Sequence, residues 1–175
     1  MMNKFIFLII FYLTNHIYIP YRLKYLEYIY RKLRENIAKS LFLSVGKDVV
    51  IRPQVKLSYM DKISIGDRSS IGDKSTIVAS GRVSIGKNVM MGPEVMIYSQ
   101  NHEVTKKGTN LIDGEIIQKE VLIKDDVWIG ARTIILPGAI ISEGTVIAAG
   151  TVVPGKKFPP NVVLGGNPAR IIKNR

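Results

Sequence analysis

Residues 121–153 read VLIKDDVWIGARTIILPGAIISEGTVIAAGTVV, and a large aliphatic residue returns at every sixth position. These positions are Ile123, Ile129, Ile135, Ile141, Ile147 and Val153. Four places after each of the first five stands a small or β-branched residue: Val127, Thr133, Ala139, Thr145 and Thr151. No helix has a period of six, whereas a strand of about three residues followed by a turn does. The pattern therefore predicts two inward-facing side chains in each hexad.

Similar hexads occur earlier in the chain, at Val45, Ile51, Leu57, Ile65, Ile71, Ile77, Ile85, Met91 and Ile97. Three hexads would close a triangular coil of 18 residues. The coil starts at Val45, Ile65 and Ile85 are 20 residues apart, and the later starts at Ile123 and Ile141 return to 18, with a final turn near residue 159. We therefore predict an all-β fold, a parallel β-helix of about five coils stacked ~4.8 Å apart.

The open ends of such a solenoid must be covered. Residues 1–44 combine an uncharged apolar run with a segment of helical period, and we expect them to form a helical cap. In this segment the apolar positions are Leu23, Leu26, Tyr30, Leu33 and Ile37, and the basic positions of the other face are Arg22, Lys24, Arg31, Lys32 and Arg34. We assign residues 45–160 to the β-helix, with an inserted loop at about 99–120, and residues 161–175 to a C-terminal cap.

The composition excludes several classes of site. The chain has no cysteine and two histidines, His16 and His102, so cysteine chemistry and a three-histidine zinc site of a γ-type carbonic anhydrase are excluded. The net charge of +11 suits a polyanionic partner, but no nucleic-acid-binding module is present and we expect no nucleic acid. We expect a cytoplasmic protein. A peripheral membrane contact through the apolar and basic residues 1–40 is the open alternative to packing of this segment on the protein itself.

The hexads stop after Ile97 and resume at Val121. A loop of this length in a compact repeat protein is usually functional or disordered. It carries His102, beside Asn101 and Glu103, and a polar stretch with Lys106 and Lys107. Histidine suits general-base catalysis because its pKa lies near neutrality, although a loop histidine without a catalytic role is the alternative.

The hexads, the segment from Val121 to Ala131 and the ending Gly166–Lys173 resemble the hexapeptide-repeat acyltransferase family, in particular its maltose, galactoside and polysaccharide O-acetyltransferases. The resemblance covers about residues 45–175. It implies a left-handed coil, since parallel crossovers are otherwise right-handed. It also implies direct transfer from acetyl-CoA with His102 as the base, Glu103 as its orienting neighbour, Glu94 or a backbone carbonyl as substitutes, and Asn101 as a substrate contact.

The resemblance further implies a homotrimer with coenzyme A in the groove between subunits. The residues that it places along the cofactor are Trp128, Gly130, Ala131, Ala149, Lys156, Lys157, Arg170 and Lys173. The expected acceptor is a sugar or a glycan precursor, as in polysaccharide biosynthesis. An amino-sugar N-acetyltransferase and a non-catalytic β-helix scaffold remain as alternatives.

Overall fold

The computed structural model describes residues 4–20, 22–104, 108 and 110–175. Two helices, α1 (Lys4–Thr14) and α2 (Lys24–Leu41), precede a long series of short strands. Tyr21, which directly precedes the segment of helical period, lies outside the described residues, as do Lys106 and Lys107 of the loop. No helix in the described part of the chain has both the length and the apolar character needed to cross a membrane.

The strands form the three faces of one parallel solenoid. The first face contains β1 (Ser44–Val45), β4 (Ile63–Ile65), β7 (Val83–Ile85), β12 (Val121–Ile123), β15 (Ile140–Ile141) and β18 (Lys157–Phe158). The second contains β2 (Val50–Ile51), β5 (Ser70–Ile71), β8 (Met90–Met91), β13 (Trp128–Ile129), β16 (Val146–Ile147) and β19 (Val162–Gly165). The third contains β3 (Lys56–Ser58), β6 (Thr76–Val78), β9 (Met96–Tyr98), β14 (Ile134–Ile135) and β17 (Val152–Val153).

The solenoid has five complete coils and a sixth that ends on the second face. The predicted spacings are confirmed, because Ile65 pairs with Ile85, and Ile123 pairs with Ile141. The last coil differs from the expectation. Phe158 pairs with Ile141 and lies one residue short of the 18-residue repeat, so the final inward position is 158 rather than 159.

The two inward positions of each hexad form the core. Ile123, Ile129 and Ile135 are fully buried, and the small residues Val127 and Thr133 are at most 1% exposed. Each large aliphatic side chain removed from water in this way contributes about 1.5–3 kcal/mol. The stack of identical positions from coil to coil therefore accounts for the packing of the whole solenoid.

The corners that join the first face to the second, and the second to the third, turn through one residue with positive φ. These residues are Asp48, Arg68, Asn88 and Asp126 at the first type of corner, and Gln54, Lys74, Glu94 and Arg132 at the second. In the fifth coil glycine occupies both positions, as Gly144 and Gly150. Glycine adopts this conformation without the cost borne by other residues.

The helices pack against each other and against the first coil, but the predicted contact face of α2 is partly wrong. Tyr30 and Ile37 are buried as expected, whereas Leu23, Leu26 and Leu33 are exposed. Arg34, assigned to the solvent face, is completely buried. The buried residues of α2 are Tyr30, Arg34, Glu35, Ile37, Ala38 and Leu41.

Arg34 can be buried because its donors meet acceptors. Its Nε donates to the Ile51 carbonyl oxygen over 3.0 Å, and Nη2 donates to Asn15 Oδ1 over 3.1 Å. Burial lowers the pKa of the Arg34 guanidinium, and burial raises the pKa of the neighbouring Tyr30 hydroxyl. The hydrogen bonds of the Arg34 side chain thus help to decide which face of α2 packs inward, and helical periodicity alone does not predict them.

The C-terminal segment forms an antiparallel pair, β19 with β20 (Arg170–Asn174). β19 continues the second face beside β16, and β20 forms the outer edge of that sheet. The last parallel strand therefore reaches Gly165, beyond the expected boundary of the β-helix at residue 160.

Candidate active site

The long loop leaves the solenoid at the corner between the third and first faces. It begins and ends as two antiparallel strands, β10 (Gln100–His102) and β11 (Ile116–Gln118). His102 is opposite Ile116, and one further bond runs from the Glu103 N–H to the Glu115 carbonyl oxygen over 2.9 Å. The backbone of His102 is therefore held by a ladder rather than by an irregular loop.

Ser99 anchors the base of this ladder to the coil below. Its hydroxyl donates to the Val78 carbonyl oxygen over 2.9 Å and accepts the Gly81 N–H over 2.8 Å. The Ser99 carbonyl oxygen accepts the Lys119 N–H over 2.9 Å, which brings the two ends of the loop together. The register of the coils is undisturbed, because Val121 pairs with Val83 directly after the loop.

A cavity of about 530 Å³ lies between the ladder and the corners of the next two coils. Its walls are Tyr98, Gln100, Asn101, His102, Glu103, Val104, Ile117, Lys119, Leu136, Pro137 and Gly155. The predicted residues Asn101, His102 and Glu103 thus lie together at one cavity. Its size is in the usual range for a small-molecule site.

The neighbours of His102 have distinct contacts. The Asn101 side chain turns back, and its Oδ1 accepts the His102 backbone N–H over 3.0 Å. Glu103 is half-buried in the cavity wall. Glu94 lies at the opposite end of β9, at the corner between the second and third faces, where its carboxylate accepts from Arg132 Nε over 2.9 Å. In one chain Glu103, and not Glu94, shares the cavity with His102.

The tryptophan and the small residues expected along coenzyme A lie away from this cavity. Trp128 is on the second face and is 52% exposed. Gly130, Ala131 and Ala149 are at the corner between the second and third faces. A Cβ on Gly130 would lie 2.5 Å from the Ala149 nitrogen, so the stacking of the next coil already requires a glycine here.

The four basic residues expected at the cofactor phosphates are all exposed, but they separate into two pairs. Arg170 and Lys173 lie on β20, at the edge of the second face. Lys156 lies at the corner between the third and first faces, next to Gly155 of the cavity wall, and Lys157 begins β18 directly after this corner. None of the four forms an ion pair within the described part of the chain. Exposed cations without acidic partners fit the phosphates of a nucleotide.

The structure thus brings the predicted residues into two groups at different corners of the triangle. His102, Asn101 and Glu103, with Lys156 and Lys157, lie at or directly beside the corner between the third and first faces. Trp128, Gly130, Ala131, Ala149, Arg170 and Lys173 lie on the second face or at its corner with the third. The third face separates the groups within one chain.

Several residues of the cavity wall were not expected from the sequence. Leu136, Pro137 and Gly155 come from later coils, and Lys119 stands where the loop re-enters the solenoid. The aliphatic stem of Lys119 lies along Gly138, with Cδ 3.3 Å from the position of a Cβ on that glycine. The coil period was the available signal, because it assigns residues 136–138 and 154–156 to the same corner as the loop.

Comparison with known proteins identifies the family. Residues 120–155 match the family described as bacterial transferase hexapeptide (six repeats). The chain is also 36% identical over 140 residues to the galactoside O-acetyltransferase of Escherichia coli (strain K12), which covers 80% of this chain and 68% of that protein. The chain belongs to the hexapeptide-repeat acyltransferase family. The expected enzyme class is thereby confirmed.

Solved structures of hexapeptide-repeat acyltransferases have the same architecture. A maltose O-acetyltransferase from Clostridium difficile 630 has a TM-score of 0.80 at 32% identity, over 98% of this chain and 85% of that one. An acetyltransferase from Vibrio cholerae O1 biovar eltor, complexed with acetyl coenzyme A, has a TM-score of 0.72 at 30% identity, over 81% and 75%. Since a coil of the opposite hand would not superpose, the left-handed expectation for the fold is confirmed.

Proposed function

We propose that the enzyme transfers an acetyl group directly from acetyl-CoA to a hydroxyl group of a sugar or glycan precursor, with His102 as the general base. The observation that carries the proposal is the position of His102. It lies at the end of a hydrogen-bonded ladder and lines a cavity large enough for a sugar ring. The similarity to galactoside and maltose O-acetyltransferases supports the choice of acceptor class.

Direct acetyl transfer needs only one side chain that accepts and then donates a proton. The His102 imidazole takes the proton of the acceptor hydroxyl while that oxygen attacks the thioester carbonyl carbon. A backbone N–H stabilises the negative charge that develops on the carbonyl oxygen. The imidazolium then returns the proton to the departing sulfur as the carbon–sulfur bond breaks. Histidine suits both transfers as a residue type, because an imidazole can act first as a base and then as an acid.

The separation between the expected cofactor-binding residues and His102 is the reason to propose a homotrimer. Trp128, Arg170 and Lys173 are exposed on or beside the second face, whereas His102 lies at the corner between the other two faces. A threefold arrangement would set the His102 corner of one subunit against the second face of the next. Acetyl-CoA would lie in this groove, with Trp128 along its pantetheine arm and the basic side chains at its phosphates.

The test measures release of free thiol from acetyl-CoA with a panel of neutral sugars, glycan precursors and amino sugars. Mass spectrometry with alkaline treatment distinguishes an ester product from an amide. We expect ester formation, and a His102→Ala variant at least about a hundredfold slower in kcat with unchanged binding of coenzyme A. Amide formation alone would favour an amino-sugar N-acetyltransferase. No thioester turnover with any acceptor would favour a scaffold, and full activity of His102→Ala would remove the proposed base.

A further inference from the structure

One side of α1 is apolar although it faces away from the protein. Phe5, Ile6, Ile9, Tyr12 and Leu13 are all between 43% and 70% exposed. At about 100° per residue these side chains fall within one sector of about 120°. A surface helix of a soluble protein normally carries polar residues on this side. The stripe therefore has the composition of a contact surface.

α2 repeats the arrangement. Tyr25, Leu26, Ile29 and Leu33 are exposed, and their spacing matches that of Phe5, Ile6, Ile9 and Leu13 on α1. The connection between the helices adds exposed Ile17 and Tyr18. We call the stripes of α1 and α2, with this connection, the hairpin surface. Exposed apolar areas of this extent usually mark sites of protein or membrane contact.

The charged side chains along α1 and the connection to α2 are basic. From residue 4 to residue 26, the charged side chains in the described part of the chain are Lys4, Arg22 and Lys24, and all three are exposed. The acidic residues of α2 are occupied elsewhere, since Glu27 lies near Arg31 and Arg52 and Glu35 near two lysines. Uncompensated cations beside apolar and tyrosine side chains match the headgroups and acyl boundary of an anionic bilayer.

We propose that the hairpin surface rests on an anionic lipid surface, with α1 in the plane of the interface. α1 has 11 residues and a length of about 16 Å, about half the hydrocarbon thickness of a bilayer, so it would lie on the membrane. A second copy is the less favoured occupant, because two such surfaces would bring their cations together without acidic partners, whereas anionic lipid supplies the opposite charge. The contact is independent of the proposed chemistry.

Sedimentation of the full chain with lipid vesicles tests the proposal. The vesicles are either equal parts of phosphatidylcholine and phosphatidylglycerol or phosphatidylcholine alone. We expect partition onto the anionic vesicles that weakens with salt. The double variant Ile9→Gln, Leu13→Gln should lower it at least about tenfold, and Arg22→Gln with Lys24→Gln should lower it on anionic vesicles alone. The matched control Leu111→Gln, Ile112→Gln makes the same two changes at exposed apolar residues of the loop and should bind as the unaltered chain does.

Circular dichroism verifies that each variant is folded, and Leu26→Gln with Ile29→Gln on α2 replaces the α1 pair if that pair does not fold. Absence of the unaltered chain from anionic vesicles overturns the proposal, as does equal binding to both lipid compositions. A fall in the molar mass of the assembly with Ile9→Gln, Leu13→Gln, without a change in vesicle binding, would assign the surface to a second copy instead.

Discussion

The guanidinium carbon of Arg34 lies 4.6 Å from the centre of the Phe11 ring, in the contact between α2 and α1. The Tyr30 ring lies on the same guanidinium at 5.7 Å. Asn15 joins this cluster to the solenoid, because its Nδ2 donates to the Val55 carbonyl oxygen over 2.8 Å. A single buried cation thus connects both helices with the first coil.

Replacing Arg34 with alanine should strongly destabilise the protein. The change leaves the Ile51 carbonyl oxygen without its side-chain donor in a buried place, and Asn15 Oδ1 keeps only the Val55 N–H of its two donors. We expect a loss of about 3 kcal/mol in the free energy of unfolding, measured by urea denaturation. Arg31→Ala on the same helix is the control. The ion pair between Arg31 and Glu27 is long, at 3.8 Å, and partly exposed. Arg31→Ala should therefore lower the free energy of unfolding by less than about 0.5 kcal/mol.

Glu35 should make stability depend on pH. Burial alone would raise the pKa of its carboxyl, but hydrogen bonds from Lys39 and Lys32 outweigh burial and lower it. Because the folded pKa is the lower one, the stabilisation is complete above the ordinary value of 4.5 and is lost as the pH falls through the folded pKa. Glu35→Gln should therefore be less stable than the unaltered protein at pH about 7, and this difference should shrink in acid. Urea denaturation at several pH values measures the difference in stability between Glu35→Gln and the unaltered protein. Glu143→Gln, at an exposed position, is the control. A difference for Glu35→Gln that does not change with pH would contradict the assignment.

Gly130 and Gly150 should differ in their tolerance of a side chain. A Cβ on Gly130 would lie 2.5 Å from the Ala149 nitrogen and 2.7 Å from the Ile147 carbonyl oxygen. A Cβ on Gly150 would meet no atom within 4 Å, and only its φ of 71° is unfavourable. Gly130→Ala should therefore cost about 3 kcal/mol and Gly150→Ala about 1 kcal/mol. Thermal unfolding of both variants compares them, and equal costs would show that coil stacking does not require Gly130.

Trp128 should contribute to cofactor binding rather than to folding. Its side chain is half exposed in the single chain, so Trp128→Ala should leave the free energy of unfolding of the isolated chain nearly unchanged. We expect the dissociation constant for coenzyme A, measured by calorimetry, to rise about tenfold. Tyr59→Ala is the matched control, because Tyr59 has the same exposed fraction of 52% at a corner of the first coil. A similar loss in both variants would argue against a specific cofactor contact.

Periodicity was sufficient to predict the solenoid. An inward residue in one hexad lies directly above the equivalent residue of the coil below, so a repeat in sequence becomes a repeat in space, as Ile65 and Ile85 show. The same reasoning located the His102 loop, because a loop is visible as an interruption of the period. It failed for α2, where Arg34 is buried through hydrogen bonds to carbonyls that are distant in sequence.

The candidate site was only partly accessible from the sequence. Asn101, His102 and Glu103 are consecutive, so their common cavity follows from one loop. Lys119, Pro137 and Gly155 reach the same cavity from different coils, and only a three-dimensional assignment of corners brings them together. The separation of Trp128 from His102 has the same origin, since their strands occupy different faces.

Differences in length between complete coils lie where the third face passes to the first, in this corner and in the strands that flank it. The other two corners keep four residues in each complete coil, whereas this one ranges from three residues, 154–156, to the 22 residues of the loop, 99–120. Insertions and deletions at this corner leave the ladders in register, as the pairing of Val121 with Val83 shows. The corner at residues 59–62, where Tyr59 and Asp61 are exposed, is thus a ready acceptor for loop grafting, through which new specificity could be engineered without redesigning the scaffold.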